Sequence, residues 1–225
     1  MRRSISIIIP TLNEEKRLAT TLAALPENVE IVVADGGSKD ATQKIAEESG
    51  AILVVSAPGR ARQMNMAARQ ARGDVLLFLH ADTVLPENFQ EEVESCLDRP
   101  GAVAGAFRLQ LVGDKKGLGL VAWGANVRSR LLQLPYGDQA LFMEHHLFAE
   151  LGGFPEMALM EDFMLVSALR KKGKIVLSDK YVASSGRKWQ ERGLVRTTLV
   201  NQLIVLGFVL GLSADFLAQL YGVRK

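Results

Sequence analysis

Four short apolar runs, at residues 4–9, 29–34, 52–56 and 75–79, constrain this chain more than any other feature. Each has the length of a strand. Each is also almost continuously apolar and rich in β-branched residues, as strands buried on both faces of a parallel sheet are. Helical patterns separate them, at 13–25 with Leu18, Leu22 and Leu25 on one face, at 40–49 and at 59–72. The alternation βαβαβαβ predicts an α/β fold with a Rossmann-like, mostly parallel central sheet and flanking helices. Pro10 is expected to end the first strand and Asn13 to cap the helix after it, with Glu14 and Glu15 in its positive first turn.

Past residue 100 the pattern loosens. A strand is expected at 102–112, a helix at 117–134 and a strand at 140–143. Gly152-Gly153-Phe154-Pro155 reads as a turn, and Glu161-Asp162 opens a helix that closes at Lys171-Lys172-Gly173. At 225 residues, with no linker rich in Gly, Pro or Ser, the chain reads as one large domain or one plus an appendage. Its 27 Lys and Arg against 25 Asp and Glu are too balanced for nucleic-acid binding by bulk charge, so any anion site must be local. The single cysteine, Cys96, falls on the Phe89, Val93, Cys96, Leu97 stripe of a helix and is expected as a buried, reduced thiol. The amino terminus lacks the long apolar region of a signal peptide, which predicts a cytoplasmic protein.

Residues 193–220 form a predicted helix that is apolar nearly all round. Leu199, Leu203, Leu206 and Leu210 follow helical spacing, yet Val200, Ile204, Val205, Phe208 and Val209 fill the other faces. The uncharged stretch 197–214 would span roughly 27 Å, just short of a bilayer core. Two readings stay open. One is packing against the rest of the chain or a second subunit in a homo-oligomer. The other is peripheral contact with the inner face of a membrane, favoured by Arg187, Lys188, Arg192 and Arg196 before the segment and Arg224 and Lys225 after it.

Ligands of open α/β sheets bind outside the carboxyl ends of strands. That points to the loops at 10–14, 35–40 and 80–83. Asp35, before Gly36-Gly37-Ser38, and Asp82, in His80-Ala81-Asp82, are carboxylates at such strand ends, suited to a nucleotide or metal. A turn or capping role explains either one alone; their joint placement favours a site. Magnesium or manganese needs only one or two carboxylates when a diphosphate supplies further oxygens. The chain has no G-x-G-x-x-G, P-loop, H-E-x-x-H or G-x-S-x-G motif. His145-His146 reads as a surface or capping pair, and Arg60 or Arg62 lies near enough to a strand end to meet a phosphate.

Four segments carry a family resemblance. Ser6 through Glu14 with Pro10, Thr11 and Asn13, the run Val32-Val33-Ala34-Asp35-Gly36-Gly37-Ser38, the D-x-D-like His80-Ala81-Asp82, and Glu161-Asp162 resemble, in order, the motifs of family 2 glycosyltransferases of the GT-A fold. Segments 78–83, 137–140 and 152–156 further resemble a bacterial subset encoded near radical-SAM and selenium-domain proteins. The resemblance implies a GT-A domain over 1–192, with a nucleotide-binding half at 1–100 and an acceptor half at 101–192, followed by the apolar segment 193–225. It implies an inverting enzyme that transfers one sugar from a nucleotide diphosphate to an acceptor, with lipid-linked acceptors among the candidates. Pro10, Thr11 and Glu14 would line the nucleoside pocket, and Asp35 would accept a hydrogen bond from the base. Asp82 would hold a divalent cation, Mn2+ or Mg2+, on the diphosphate, and Asp162 would be the general base. Arg60, Asp138 and Glu161 are further candidates for binding the substrate.

The departures are His80 in place of the first Asp of D-x-D and Gly36 where many members carry a second Asp. Arg187-Lys188-Trp189 only loosely matches the Q-x-x-R-W of processive members, which disfavours a polysaccharide synthase. The alternatives are a nucleotidyltransferase, disfavoured because the loop after the first strand is neither glycine-rich nor basic, and a non-catalytic sugar-nucleotide-binding protein.

Overall fold

The computed structural model describes residues 2–222. The first half alternates as expected: β1 (Ile5–Thr11), α1 (Glu15–Ala23), β2 (Glu30–Asp35), α2 (Thr42–Glu48), β3 (Ile52–Val55), α3 (Arg60–Gln70) and β4 (Val75–Phe78). The second half adds β5 (Thr83–Val84), α4 (Phe89–Leu97), β6 (Ala102–Val112), α5 (Leu118–Leu132), a 3-10 turn at Gly137–Gln139 and β7 (Phe142–Glu144). It continues with α6 (His145–Glu150), α7 (Glu161–Lys172), β8 (Lys174–Ser185), α8 (Arg187–Arg192), α9 (Leu194–Val209) and α10 (Ala214–Tyr221).

The strands form one eight-stranded sheet in the order β3-β2-β1-β4-β7-β6-β8-β5. Its first four are mutually parallel; β1, β2 and β4 are buried on both faces, while β3 at the edge is half-buried. Ile7, Ile9, Val33 and Leu77 pack on one side with Leu18 of α1 and Phe89 of α4. Ile8, Val32, Leu76 and Phe78 pack on the other with Met64 of α3 and Leu165 of α7. Consecutive residues of one strand thus serve opposite cores, which is why the runs are continuous rather than alternating. Cys96 is fully buried and free, and burial pushes its thiol up to about 11.

The sheet is mostly parallel, as expected, with two antiparallel strands: β7 runs antiparallel between β4 and β6, and β5 antiparallel to β8. Several other expectations need correction. Pro10 does not end β1, which continues to Thr11 beside Asp35. The β4 pairing stops at Ile8, so Pro10 sits where one strand edge is open and its missing N–H costs no ladder bond. Asn13 does not cap α1, because it has φ 56°, the left-handed region that asparagine tolerates, and Glu14 takes the cap position. The helix expected over 193–220 is two helices, broken where Gly211 adopts φ 92° and the Ser213 side chain caps α10. Arg224 and Lys225 lie outside the described residues.

Candidate active site

The carboxyl ends of β1 and β2 are in register, Thr11 beside Asp35. The Asp35 carboxylate is fully buried and accepts five protein donors. Its Oδ1 takes the N–H groups of Gly37 (3.0 Å) and Ser38 (2.8 Å) and the Gln43 amide (2.7 Å); its Oδ2 takes the hydroxyls of Thr11 (3.0 Å) and Ser38 (2.5 Å). Burial alone would raise its pKa, but the bonds from Ser38, Gln43 and Thr11 outweigh burial and hold it below the ordinary value. Asn13 ties the two loops together, donating its N–H to Ser38 Oγ and accepting the Lys39 N–H, each at 2.8 Å. Gln63 of α3 stitches them from beneath, its amide donating to the carbonyls of Thr11 (2.8 Å) and Ala34 (2.7 Å).

Beyond β4, the hydroxyl of Thr21 donates to the Ala81 carbonyl at 2.7 Å and anchors the His80-Ala81-Asp82 turn. Arg60, the first residue of α3, contacts His80 Nε2 and places its Nε 3.7 Å from Glu161 Oε1. Burial and then the Arg60 charge hold the His80 imidazole well below its ordinary pKa, so it is neutral and Nε2 accepts from Arg60. Glu161 and Asp162 open α7 behind Met160, whose φ of 73° turns the chain into the helix. Asp162 Oδ2 accepts the Gly137 N–H at 2.9 Å and Oδ1 accepts the Phe163 N–H at 2.7 Å. A Cβ on Gly137 would lie 2.7 Å from Arg60 Nη2, so a side chain there would push the guanidinium aside. Pro10, Arg60, Phe78, His80, Gly137 and Asp162 line one small cleft.

The charges around this cleft are not mutually satisfied. Asp138, in the 3-10 turn, has a buried Oδ1 without a hydrogen-bond partner; burial raises its pKa against Arg128, and the Asp162 charge raises it further. Glu161 is raised by burial, with Arg60 opposing and Asp162 adding to the shift. Asp82 is raised by burial against the fields of Arg187, Arg17 and Arg60. Lys188 is pushed down to about 8, by burial first and then by Arg192.

The structure therefore brings Pro10, Arg60 and Asp162 to one cleft, sets Glu161 within ion-pair reach of Arg60, and puts Asp82 and Asp138 in the field of the same guanidinium. Thr11 and Asp35 lie alongside but are spent on each other. Glu14 is turned toward Arg17 at 3.3 Å. Arg62 pairs with Glu156 at 3.0 Å and leaves the site, while His145 bonds the Gly73 carbonyl and His146 faces Glu144. Sequence reasoning missed Gln63, Gln43, Arg17, Arg187 and Lys188 as parts of this region. Only the position of Gln63, three residues after Arg60 on the inner face of α3, carried a signal.

No group of three or more His, Cys, Asp or Glu side chains that could hold a metal ion occurs among the described residues. Asp82 offers one hard oxygen donor, and His80 is engaged by Arg60. Mg2+ and Mn2+ accept one or two carboxylates plus phosphate oxygens and water, so Asp82 fits the implied cation when a diphosphate completes the shell.

Comparison with known proteins adds four findings. The profile described as "Glycosyl transferase family 2" matches residues 6–146. An uncharacterized glycosyltransferase of Mycobacterium tuberculosis is 25% identical over 135 residues, covering 57% of this chain and 62% of its own length. The chain thus spans about three fifths of the curated relative it matches. Among solved structures, S. aureus TarS 1-349 in complex with UDP-GlcNAc superposes with a TM-score of 0.65 at 22% identity, covering 81% of this chain and 58% of that one. Glucosyl-3-phosphoglycerate synthase from Mycobacterium tuberculosis, in complex with Mn2+ and UDP-glucose, gives 0.61 at 20% identity, covering 89% and 78%. At these identities the two structures speak to the fold, an α/β sheet with flanking helices.

Proposed function

The chain belongs to glycosyl transferase family 2, and on that premise we propose that it is an inverting, metal-dependent enzyme. In this reading it moves a single sugar from a nucleotide diphosphate donor to the hydroxyl of an acceptor. The observation that carries the reading is Asp162, a carboxylate held by the Gly137 N–H and opening onto the cleft that Arg60 and His80 line. As the acceptor oxygen attacks the anomeric carbon from the face opposite the diphosphate, Asp162 takes the hydroxyl proton. The bond from the anomeric carbon to the diphosphate breaks, its electron pair leaves with the phosphate oxygen, and the configuration inverts.

Arg60 meets the diphosphate, with Arg17 and Arg187 adding positive charge around Asp82. Asp82 with the donor's phosphate oxygens would hold Mn2+ or Mg2+, which supplies charge neutralisation for the leaving group. Neutral His80 in place of a carboxylate removes one anion that would compete with the diphosphate for Arg60, leaving Glu161 as its ion-pair partner. Pro10, Thr11 and Glu14 border the nucleoside; Asp35, with both oxygens occupied by protein donors, fixes the Gly36–Ser38 backbone against which the base rests. Residues 1–192 make up the transferase domain and 193–225 an appended segment. Segments 78–83, 137–140 and 152–156 support placing the chain in the subset encoded near radical-SAM and selenium-domain proteins.

A thermal-shift screen of nucleoside diphosphates and nucleotide sugars, with and without manganese, tests the reading, because a ligand that binds only the native state raises apparent stability. One nucleotide sugar should raise the melting temperature more with manganese than without, and be hydrolysed slowly. Indifference to every nucleotide would overturn the assignment.

A further inference from the structure

The α9–α10 hairpin has two apolar surfaces and only one of them is covered. On the inner side Ile204 of α9 and Leu217 of α10 are buried against Met160, with Val200, Phe163 and Phe208 packed around them. Phe163, the residue after Asp162, meets Phe208 edge to face at 5.7 Å. On the outer side Val195, Leu199, Leu203, Leu206 and Leu210 are spaced four, four, three and four apart, which aligns them along one face of a helix. They are between 54% and 74% exposed, and Phe216 and Leu220 of α10 are exposed as well. Among the described residues, nine of the nineteen exposed large apolar side chains fall within 195–220. A contiguous apolar surface of this kind marks a contact with a membrane or a partner.

The charge distribution selects between them. From residue 187 to 225 the chain carries six Lys and Arg against Glu191 and Asp215, while the preceding 186 residues carry 21 against 23. The excess positive charge thus flanks the apolar stripe, in α8 and at 224–225, while Arg196 and Asp215 balance within the hairpin itself. Arg192 and Arg196 are exposed beside the first residues of that stripe. No helix among the described residues is long and apolar enough to cross a membrane, so the hairpin has the character of an element that lies in the interface. We propose that the outer face of α9–α10 docks onto an anionic phospholipid surface, with Leu199, Leu203 and Leu206 entering the acyl boundary and Arg192 and Arg196 meeting the headgroups. Where the transferase reading holds, docking brings Asp162 to the bilayer surface, because α9 packs directly on the start of α7.

The test is co-sedimentation of the whole chain with vesicles of phosphatidylglycerol and phosphatidylcholine, and with phosphatidylcholine alone. The expected result is binding to the anionic vesicles that falls at least tenfold at high salt, and falls by as much in the double variant L203E/L206E. Both leucines are already exposed, so the variant should keep the native melting temperature. Recovery of the protein in the supernatant at low salt overturns the proposal. So does sedimentation velocity showing a dimer that L203E/L206E converts to monomer, which would make the stripe a subunit interface. Nucleotide-induced thermal shifts are read on the same samples: their absence with vesicle binding intact would sink the transferase reading alone, and their presence without vesicle binding the docking alone.

Discussion

Two loops of this molecule bury carboxylates at the same end of the sheet and treat them oppositely. Asp35 accepts five protein donors and is held below its ordinary pKa, whereas Asp138 keeps a buried oxygen without a partner and is raised, in part by Asp162. Asp35 is finished by folding. The Asp138–Asp162 region is not, since Glu161 and Asp82 are also raised and Lys188 is depressed. Titratable groups pushed away from their ordinary range beside a cleft are what chemistry requires, and a fully satisfied carboxylate is what a rigid support requires. On this contrast we propose that the Asp35 side is a rigid support and the Asp162 side the reactive one.

The sharpest break of that comparison is Asp162→Asn. Turnover should fall by about a hundredfold or more, since general-base catalysis contributes 10² to 10⁴. Nucleotide affinity should persist, because asparagine can still accept the Gly137 N–H. Near-normal turnover would move the base to Asp138 or Glu161. Next comes Asp82→Ala, which should remove the manganese dependence of nucleotide binding measured by calorimetry while Arg17, Arg60 and Arg187 sustain a weaker, metal-independent affinity. A variant whose affinity and manganese dependence both match the parent would sink the metal assignment.

On the architectural side, Asp35→Asn should destabilise the fold by about 2–3 kcal/mol, because an amide cannot accept all five donors and each buried donor left alone costs about 1–3 kcal/mol. The sign with pH follows from the lowered pKa: the Asp35 contribution is present above the unfolded carboxylate value, near 3.9, and is lost as pH falls through the folded one. Urea titration of both proteins at neutral and acidic pH measures this. A neutral-pH difference within error would mean that the loop is held by something other than this carboxylate.

How much of this was legible in the sequence divides along the same line. The parallel half announces itself because Ile7 and Ile8 serve opposite cores, so β1 is continuously apolar, and Asp35 stands out as the polar residue that ends β2. Strand β8 was invisible because two of its buried positions are serines, Ser178 and Ser184. Ser178 is buried as the hydroxyl donor to Glu92 of α4 at 2.7 Å, a partnership 86 residues away that no local pattern records. Within the site, Asp82, Glu161 and Asp162 were readable as carboxylates at element ends. The cations that set their chemistry, Arg17, Arg187 and Lys188, were not, because their roles arise from tertiary proximity to Asp82 and Asp138.

Asp138→Asn sharpens the contrast with Asp35. Removing a charge that burial and Asp162 both disfavour should stabilise the fold by roughly 1 kcal/mol at neutral pH, small beside the tens of kcal/mol of an idealised desolvated ion. A group whose folded pKa is raised favours the fold at low pH and loses that contribution as pH rises through the folded value. The gain from asparagine should therefore shrink as pH falls through the folded Asp138 value and vanish in acid, where the carboxyl is protonated in both states. Destabilisation at neutral pH would place Asp138 with Asp35 as a structural carboxylate.

The smallest effect, and the one with a distinctive pH signature, belongs to Lys188. Its pKa of about 8 lies below the unfolded lysine value of about 10.4, so between these the unfolded chain binds more protons and stability rises with pH. Below about pH 8 the ammonium is charged in both states and its desolvation penalty is fully present. The Tyr221 ring, 4.2 Å from the ammonium, returns roughly 0.5–1 kcal/mol of that penalty as a cation–π contact. Lys188→Met keeps the length and apolar stem while removing both the penalty and the contact. The variant should melt a degree or two higher than the parent at pH 7, on a scale where 1 kcal/mol shifts a domain of this size by roughly 2–4 °C. The difference should shrink steadily as pH rises from about 8 toward 10, where the parent lysine is neutral in the fold. Parallel melting curves across that range would mean that the ammonium reaches water and that this side of the cleft carries no stored electrostatic cost.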